Sequence, residues 1–375
     1  MSEALHYDVA IAGGGLVGAS AALALARRGL RVGLFERRFC GAQASGVNYG
    51  GVRCQGRPAE QLPLAMRARR IWDRLPELTG IHGEFVVSGH LRLARSEEDL
   101  SALEAYARMA HEHGLSLQLI SGDAFRRRYP WLGAAALGGS LCASDGHANP
   151  RLVSPAFARA ARAAGADVRE QTALTDIHHD GTRFRLRAGE QRISADWLIN
   201  SAGAWGNTIA GYFGESVPMK PIYPNMWVTE PLPRFITHNL GVYGGSIYAR
   251  QVERGNCVIG GGRGRGDGEY GQPSTDTTRA VMRDACQLLP ALRDALLIRT
   301  WSGVEGSTPD SNPVIGASRT VPRLLHAFGF SGGGFLLAPG VGDVLAELVV
   351  DGATVTPLDA FSIDRFAFVT TPSVI

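Results

Sequence analysis

Four residues near the start of the chain have the types and spacing needed to hold a phosphate and a ribose. Gly13, Gly15 and Gly18 form a G-x-G-x-x-G motif, and Glu36 ends the next apolar run. Glycines let a backbone approach a pyrophosphate closely, because no Cβ stands in the way. A helix that begins at the motif places a partial positive charge beside that pyrophosphate. The Glu36 carboxylate would accept hydrogen bonds from an adenosine ribose.

The elements that must position these residues can be read from the same stretch. Residues 7–12 predict a buried strand, the alanine-rich residues 19–28 a helix, and residues 32–35 a second strand. Strand, glycines, helix, strand and acid in this order indicate a βαβ unit that binds a dinucleotide. An ordinary glycine-rich turn is the alternative.

The composition narrows the class of protein. The 375 residues suggest about two domains, 45% are hydrophobic, and a net charge of +3 is too small to suggest a nucleic-acid partner. The five cysteines are widely spaced without a C-x-x-C, so we expect no metal site and no disulfide framework. A strand that begins by Tyr7 leaves no room for a signal peptide, and no apolar run reaches 18 residues. We therefore expect a cytoplasmic protein without a transmembrane segment.

Further along the chain, periodicity and turn residues predict a series of elements. Ser96 begins a capping box that opens a helix closed by Gly114, with His111 and His113 in its last turn rather than on a metal. His178 and His179 are predicted in a solvated turn. The other predictions are helices over 58–75, 150–164, 278–289 and 339–350, a hairpin pair of strands over 85–93, a hairpin from 183–186 and 192–193, and strands over 167–169, 197–200, 226–229, 246–250 and 257–259.

These elements predict an α/β fold (α+β overall) with two interleaved domains. A Rossmann-type nucleotide-binding domain would be interrupted twice by an antiparallel-sheet substrate domain. The predicted boundaries are 1–78, 145–215 and 301–375 for the first domain, and 79–144 and 216–300 for the second.

Segments along the whole chain resemble the family of FAD-dependent amine and amino-acid oxidases, which includes glycine oxidase, D-amino-acid dehydrogenases and sarcosine oxidases. Besides the N-terminal motif, they are ASGVNYGGVR (44–53), NSAGAW (200–205), GVEGSTPDSNPVIG (303–316) and GFSGGGFLLAPG (329–340). The resemblance implies a non-covalent FAD. Small residues would line its pyrophosphate and ring, and the glycines before the last helix would stabilise negative charge on the reduced flavin. The residues expected to bind FAD are Gly13, Gly15, Leu16, Val17, Gly18, Glu36, Arg37, Ala44, Ser45, Asn48, Gly50, Gly51, Val52, Leu174, Ser201, Ala202, Gly203, Trp205, Gly303, Gly332, Gly333, Gly334, Phe335 and Leu336.

The resemblance also implies a reaction. The family oxidises a C–N bond by passing a hydride to flavin N5, which leaves an imine for water to hydrolyse. In glycine oxidase and D-amino-acid oxidases an arginine before the T-x-D motif anchors the substrate carboxylate, but this chain has Glu305 there. A carboxylate at close range would repel the substrate by about 4 kcal/mol at an effective dielectric constant near 20.

Another arginine must therefore hold the substrate, or the substrate must lie differently. Arg53 is the first candidate because it follows the flavin-lining glycines, and Arg250 is the second. Arg250 would share a strand face with Tyr248, although a solvated sheet arginine is the alternative for it. Glu305 would pair with one of these arginines or bind a substrate amine or hydroxyl.

The N-x-G-G-V-R form resembles the β subunits of dye-linked dehydrogenases, among them opine oxidase, hydrogen cyanide synthase and D-hydroxyproline dehydrogenase. The resemblance implies partner subunits carrying an iron–sulfur centre and a possible peripheral association with the respiratory chain. Candidate substrates are D-hydroxyproline, D-proline, opines and glycine. Sarcosine oxidases use a lysine over the flavin to react with oxygen, and the single lysine, Lys220, is not recognisable at that position. A dehydrogenase is therefore favoured over a peroxide-forming oxidase, a non-catalytic flavin-binding subunit and an NAD-dependent dehydrogenase.

Overall fold

The computed structural model describes residues 4–367, which form two large sheets with helices packed against each. The strands are β1 Leu5–Ala12, β2 Val32–Phe35, β3 Gly51–Val52, β4 His90–Ala94, β5 Gln118–Ser121, β6 Gly138–Cys142, β7 Gly146–His147, β8 Asp167–Arg169, β9 Leu174–His179, β10 Phe184–Ala188, β11 Gln191–Asn200, β12 Lys220–Ile222, β13 Pro224–Pro231, β14 Asn239–Val242, β15 Tyr248–Gln251, β16 Asn256–Arg263, β17 Arg265–Gly266, β18 Gly271–Gln272, β19 Leu297–Ser302, β20 Glu305–Ser307, β21 Val314–Ala317 and β22 Leu324–Phe328. The helices are α1 Leu16–Ala26, α2 Ala44–Val47, α3 Leu62–Trp72, α4 Leu75–Thr79, α5 Glu97–Glu112, α6 Gly122–Arg128, α7 Pro150–Ala163, α8 Gly206–Gly211, α9 Thr275–Leu288 and α10 Gly334–Val350.

The first sheet carries the N-terminal glycine motif at one edge. Its main path runs β21-β22-β11-β1-β2-β8, and β22, β11, β1, β2 and β8 are parallel. A parallel sheet must be covered on both faces, which explains why β1 and β2 are almost continuously apolar. The carboxyl ends of β1, β2 and β11 therefore meet at the edge where Gly13, Glu36 and Ser201 follow.

Three helices cover one face of this sheet at unusually short separations. A Cβ on Gly342 of α10 would lie 2.6 Å from the Cβ of Ser20 in α1, and one on Gly340 would lie 2.9 Å from the Cβ of Ala68 in α3. Glycine at both positions is what lets α10 approach its two neighbours. The N-terminus of α10 is thereby fixed relative to α1.

The second sheet runs β19-β13-β16-β15-β14-β4-β6-β5 and is antiparallel except between β4 and β14. Its apolar face packs against α6 and α9 around Trp227, Phe125 and Tyr129, which are almost completely buried. The strands of the two sheets alternate along the chain, as an interleaved α/β fold requires. The domain boundaries that the sequence suggested stay a prediction.

Several sequence predictions are confirmed at the level of single elements. Ser96 accepts a hydrogen bond from the Asp99 amide at 3.2 Å and caps α5, and Gly114 follows the helix with φ 82°. The predicted strand 167–169 coincides with β8, and the hairpin of β10 and β11 forms as expected. Among residues 4–367, no helix has the length and apolar character to cross a membrane.

Four other predictions are wrong. Residues 85–93 do not form a hairpin, because β4 pairs with the distant β6 and β14 while Val86 only bridges to His147. His178 and His179 belong to β9, whose partner β10 lies across a turn further along the chain. The predicted helix 58–75 is divided into a 3₁₀ turn over 59–61, α3 and α4, and α10 begins at Gly334 rather than at Pro339.

The glycine motif gives a stability prediction. In α1, a Cβ on Gly18 would lie only 2.0 Å from the carbonyl oxygen of Gly13, so we expect Gly18→Ala to lower the free energy of unfolding by about 2–3 kcal/mol through overpacking. Gly211, also helical, has open space around its Cβ position. Gly211→Ala is therefore the matched control and should be neutral or slightly stabilising. Urea unfolding followed by fluorescence measures both, and equal effects of the two substitutions would contradict the close contact.

Candidate functional site

A single large cavity of about 1010 Å³ is lined by residues of both sheets. It extends from the turn between β1 and α1 to the N-terminus of α10 and the strands β4 and β15. Its walls come from segments that are far apart in sequence, so every part of the fold described above contributes to it. Its shape suits a long ligand with a second, smaller molecule at one end.

At one end the cavity is bounded by backbone rather than by side chains. A Cβ on Gly13 would lie 2.5 Å from the Ser201 carbonyl oxygen, and Gly13 has φ 105°. The Leu16 amide at the start of α1 donates to the Ser45 hydroxyl at 2.9 Å. The carboxylate of Glu36 accepts from the amides of Gly14 and Arg38, both at 2.8 Å, and still faces the cavity. This end has the features of a dinucleotide cradle.

A cation–π contact closes the same end. The Arg37 guanidinium lies 4.0 Å from the centre of the Trp205 ring and pairs with Glu269 at 2.8 Å. Glu269 comes from the segment between β17 and β18, so residues from three parts of the chain meet here. Leu174 also lines this end of the cavity.

The second end is formed by the glycines before α10. Gly332 has φ 83°, and Gly333 is the N-cap of α10 without a side-chain hydrogen bond to the helix. All three glycines, 332–334, line the cavity. The amide groups at the start of a 17-residue helix are therefore available to an electron-rich group in the cavity.

Glu305 and Tyr248 lie together beside these glycines. The Glu305 Oε2 atom is buried and has no hydrogen-bond partner among the described residues, and it lies 3.7 Å from the Cβ position of Gly332. Burial raises the pKa of Glu305, while the charge of Arg263 and the Gly332 amide act in the opposite direction. Burial and the nearby Glu305 charge raise the pKa of Tyr248. A buried carboxylate without a partner is costly, which indicates that a ligand completes this site.

Arginines face the cavity from the other side of the flavin-binding segment. Arg53 lines the cavity and donates to the Gln55 carbonyl at 2.6 Å. Arg57 and Arg92 line it too, although the sequence did not single them out. Their signal was present in the letters: Arg57 follows Arg53 by one helical turn, and Arg92 lies two residues after His90 in the buried strand β4, so both strand residues face one side.

Arg250 does not face the cavity. It is 4% exposed, its Nε donates to the Tyr49 carbonyl at 2.9 Å, and its guanidinium lies 3.4 Å from His147 Nδ1. Alternation along β15 does place it on the same side as Tyr248, but Tyr49 packs between the cavity and Arg250. The expected pairing of Glu305 with Arg53 or Arg250 is also absent from the described residues.

Most of the residues expected to bind FAD do line the cavity, and a few support it from behind. Gly18 packs on Gly13, Gly50 on the Ala148 carbonyl and Gly303 on Val47. Leu16, Val52 and Leu336 are buried in the core, because strand and helix periodicity turns every second or third side chain inward. The expected residues that line the cavity are Gly13, Gly15, Val17, Glu36, Arg37, Ala44, Ser45, Asn48, Gly51, Leu174, Ser201, Ala202, Gly203, Trp205, Gly332, Gly333, Gly334 and Phe335.

Comparison with known proteins identifies the family. The model of the FAD-dependent oxidoreductases matches residues 8–348. The chain belongs to this family. Glycine oxidase of Geobacillus kaustophilus is 30% identical over 370 residues, covering 96% of this chain and 97% of that protein. One of the subunits of the opine oxidase of Rhizobium meliloti is 26% identical over 373 residues, covering 96% and 98%.

Solved structures agree with the sequence relatives. The crystal structure of the Geobacillus kaustophilus glycine oxidase superposes with a TM-score of 0.90 at 27% identity, covering 96% of this chain and 99% of that one. L-proline dehydrogenase from P. horikoshii also gives 0.90, at 28% identity, covering 97% and 99%. The fold predicted from the sequence is confirmed.

The protein is thus an FAD-dependent oxidoreductase that acts on amino acids. The residues present fit FAD, since Gly13 and Gly18 leave a cradle that any Cβ would fill, and the amides at the start of α10 lack partners among the described side chains. Residues around the β1–α1 turn would hold the ADP half, and glycines 332–334 the flavin end. When bound, FAD supplies the two-electron acceptor at which a substrate hydride is taken up.

The buried Glu305 makes the stability of the fold depend on pH. Its ordinary pKa is 4.5 and the folded value is higher, so above about pH 4.5 the unfolded chain gives up a proton that the folded chain keeps. Rising pH should therefore destabilise the wild type relative to Glu305→Gln, by about 1.4 kcal/mol for each unit by which the folded pKa is raised.

Urea unfolding of the FAD-loaded proteins between pH 4.5 and 8 measures this difference. Glu112→Gln, at an exposed position of α5, is the control and should follow the wild type at every pH. A constant difference between wild type and Glu305→Gln would show that Glu305 ionises as freely in the folded chain as in the unfolded one.

Proposed function

We propose that the protein oxidises the C–N bond of an amino or imino acid and passes the electrons to a partner rather than to oxygen. The observation that carries the proposal is the unpartnered Glu305 carboxylate, which faces the same cavity as Tyr248, Arg53 and the glycines before α10. Acidic and basic groups that remain unpaired in one cavity suit a substrate that carries both an amine and a carboxylate.

Arg53 is the proposed carboxylate anchor. It is the residue, of the two considered from the sequence, whose side chain lines the cavity, whereas Arg250 is engaged with Tyr49 and His147. A guanidinium can hold a carboxylate with two parallel hydrogen bonds, which fixes both position and orientation. The polarity of the site is then reversed relative to an enzyme with an arginine at position 305.

Glu305 is proposed to receive the amine. A hydride leaves carbon readily only when the neighbouring nitrogen is neutral, and an amino acid in water carries an ammonium. Because burial raises the pKa of Glu305, its carboxylate is a better proton acceptor than an exposed glutamate. It would take one proton from the ammonium, the neutral amine would lose a hydride from its α-carbon to the flavin, and the resulting iminium would be hydrolysed to an oxo compound and an amine or ammonia.

Two observations support an acceptor other than oxygen. The only lysine of the chain, Lys220, is exposed on β12 and does not line the cavity, whereas sarcosine oxidases are described above as using a lysine over the flavin to react with oxygen. One relative that matches over nearly its whole length is named as a subunit of opine oxidase. Partner subunits that carry further redox centres, such as an iron–sulfur cluster, are part of this proposal.

The first test is direct reduction of the bound flavin. We expect a yellow protein whose absorption near 450 nm is bleached anaerobically by at least one member of a panel containing glycine, sarcosine, D-proline, D-hydroxyproline and an opine. Dye reduction should then exceed hydrogen peroxide formation at least tenfold in air. Peroxide formation as fast as dye reduction would favour a glycine-oxidase-like enzyme. A flavin that no member bleaches would favour a non-catalytic flavin-binding subunit.

The second test concerns the two proposed contacts of the substrate. With the most effective amine of the panel, Glu305→Gln should change KM by more than tenfold, because it removes the group that receives the amine. Arg53→Gln should raise KM by a similar factor, and Arg53→Lys should recover part of the loss. Steady-state dye reduction measures all three, and an unchanged KM in Glu305→Gln would remove that residue from the site.

A further inference from the structure

Three arginines meet in the cavity without a carboxylate to pair with. Arg53, Arg57 and Arg92 all line it, and none has a carboxylate oxygen within 4 Å among the described residues, in which fifteen other ion pairs do form. Arg57 is 7% exposed. Buried guanidinium groups without a counter-charge are rare in proteins because removing them from water costs free energy that nothing repays.

Two of these guanidinium groups converge on one point. The Arg92 and Arg53 Nη1 atoms lie 3.0 Å and 3.1 Å from the position that a Cβ on Gly56 would take. Gly56 has φ 82°, and its amide donates to the Tyr106 hydroxyl at 2.8 Å, so the backbone here is held in place. Arg92 is further fixed by the Tyr243 ring, whose centre lies 4.9 Å from its guanidinium carbon.

The third guanidinium belongs to the same cluster. Arg57 donates to the carbonyl of Arg53 at 3.4 Å and to that of Gly333 at 3.1 Å. Burial lowers the pKa of Arg57 to about 9 and also lowers the pKa of Arg92, and in both cases the charge of Arg53 adds to the effect. All three groups remain protonated at neutral pH, so they repel one another.

The nearest buried acid offsets at most one of these charges. The Asp145 carboxylate is fully buried and accepts from the amides of Cys54 and Gln55 at 2.7 Å and 3.0 Å. Burial raises the pKa of Asp145, which weakens its negative charge further. Glu305 lies beside Gly332 and Tyr248, and Arg53 is not among the groups that act on its pKa. Three positive charges against one carboxylate leave two to be neutralised.

We infer that the substrate is an amine that carries two carboxylates, both held by the cluster of Arg53, Arg57 and Arg92 while the nitrogen faces Glu305. This inference rests on the proposed function for the nitrogen, but not for the binding of the two carboxylates. A substrate with a single carboxylate would leave one guanidinium buried without a counter-charge, and it should bind correspondingly less well. Arg92 is then a residue that determines specificity.

Binding of two carboxylates that contain no nitrogen tests this charge selection without requiring any reaction. Glutarate has two carboxylates, and butyrate is a monocarboxylate with a chain of similar kind. At constant ionic strength, the FAD-loaded protein should bind glutarate at least tenfold more tightly than butyrate, as measured by calorimetry or by the shift of the flavin spectrum. Arg92→Gln should weaken glutarate at least tenfold and butyrate less than threefold, and Arg92→Lys should recover part of the glutarate affinity.

Arg127→Gln, at an exposed position of α6, should leave both affinities unchanged. Equal binding of glutarate and butyrate by the wild type, or equal losses in Arg92→Gln, would overturn the inference. A variant that fails to fold is recognised by its circular dichroism, and in that case the wild-type comparison alone decides.

Flavin reduction by a matched pair of secondary amines separates this inference from the proposed function. Iminodiacetate carries two carboxylates and sarcosine one, and anaerobic reduction should be at least tenfold more efficient for iminodiacetate. Tighter binding of glutarate with no reduction by any amine would support the two-carboxylate site and contradict the proposed oxidation. Reduction by sarcosine as efficient as by iminodiacetate, with no preference for glutarate, would support the oxidation and overturn the two-carboxylate site.

Discussion

The structure depends on one close contact at the carboxyl edge of the parallel sheet, where the turn after β1 meets the end of β11. Gly13 approaches the Ser201 carbonyl so closely that a Cβ has no room, and Gly18 packs on Gly13 in turn. The Ser201 hydroxyl donates to the carbonyls of Ala12 and Gly13 at 3.1 Å and 3.0 Å. This contact fixes the start of α1, and α1 fixes α10 through Ser20 and Gly342. Both helix N-termini that face the cavity are therefore positioned by contacts that only small residues permit.

The sequence predicted the parts of the molecule that rest on local patterns. The G-x-G-x-x-G turn, the capping of α5 by Ser96 and the strand β8 depend on residues a few positions apart, and all three form as expected. The hairpin predicted over 85–93 failed because β4 finds its partners at β6 and β14, and no local pattern records such distant pairing. His178 and His179 have polar neighbours but are held in β9 by the main-chain pairing with β10, which is indifferent to side-chain polarity.

The same distinction applies to the site. Glycine spacing indicated the dinucleotide end correctly, because the requirement for a missing Cβ is written in the residue type itself. Arginine carries no such information: Arg250 and Arg92 both lie in buried strands, and only their neighbours decide that one binds Tyr49 while the other faces the cavity. Glu305 was recognised as a departure from the family pattern, but that it would remain unpaired follows from packing that the sequence does not show.

A cavity that keeps like charges together needs a rigid support, since flexible arginines would turn away from one another toward water. The support here is the buried segment that leads from Arg53 to Arg57. Asp145 accepts from two of its amides, and the Gln55 side chain donates to the Ser140 hydroxyl at 2.7 Å while its carbonyl oxygen lies 3.1 Å from His90 Nδ1. Burial and the surrounding arginines lower the pKa of His90, so the imidazole stays neutral and adds no further positive charge. The free energy of this network holds the arginines in place before a ligand arrives, and an anionic ligand then gains attraction without an equivalent cost in ordering.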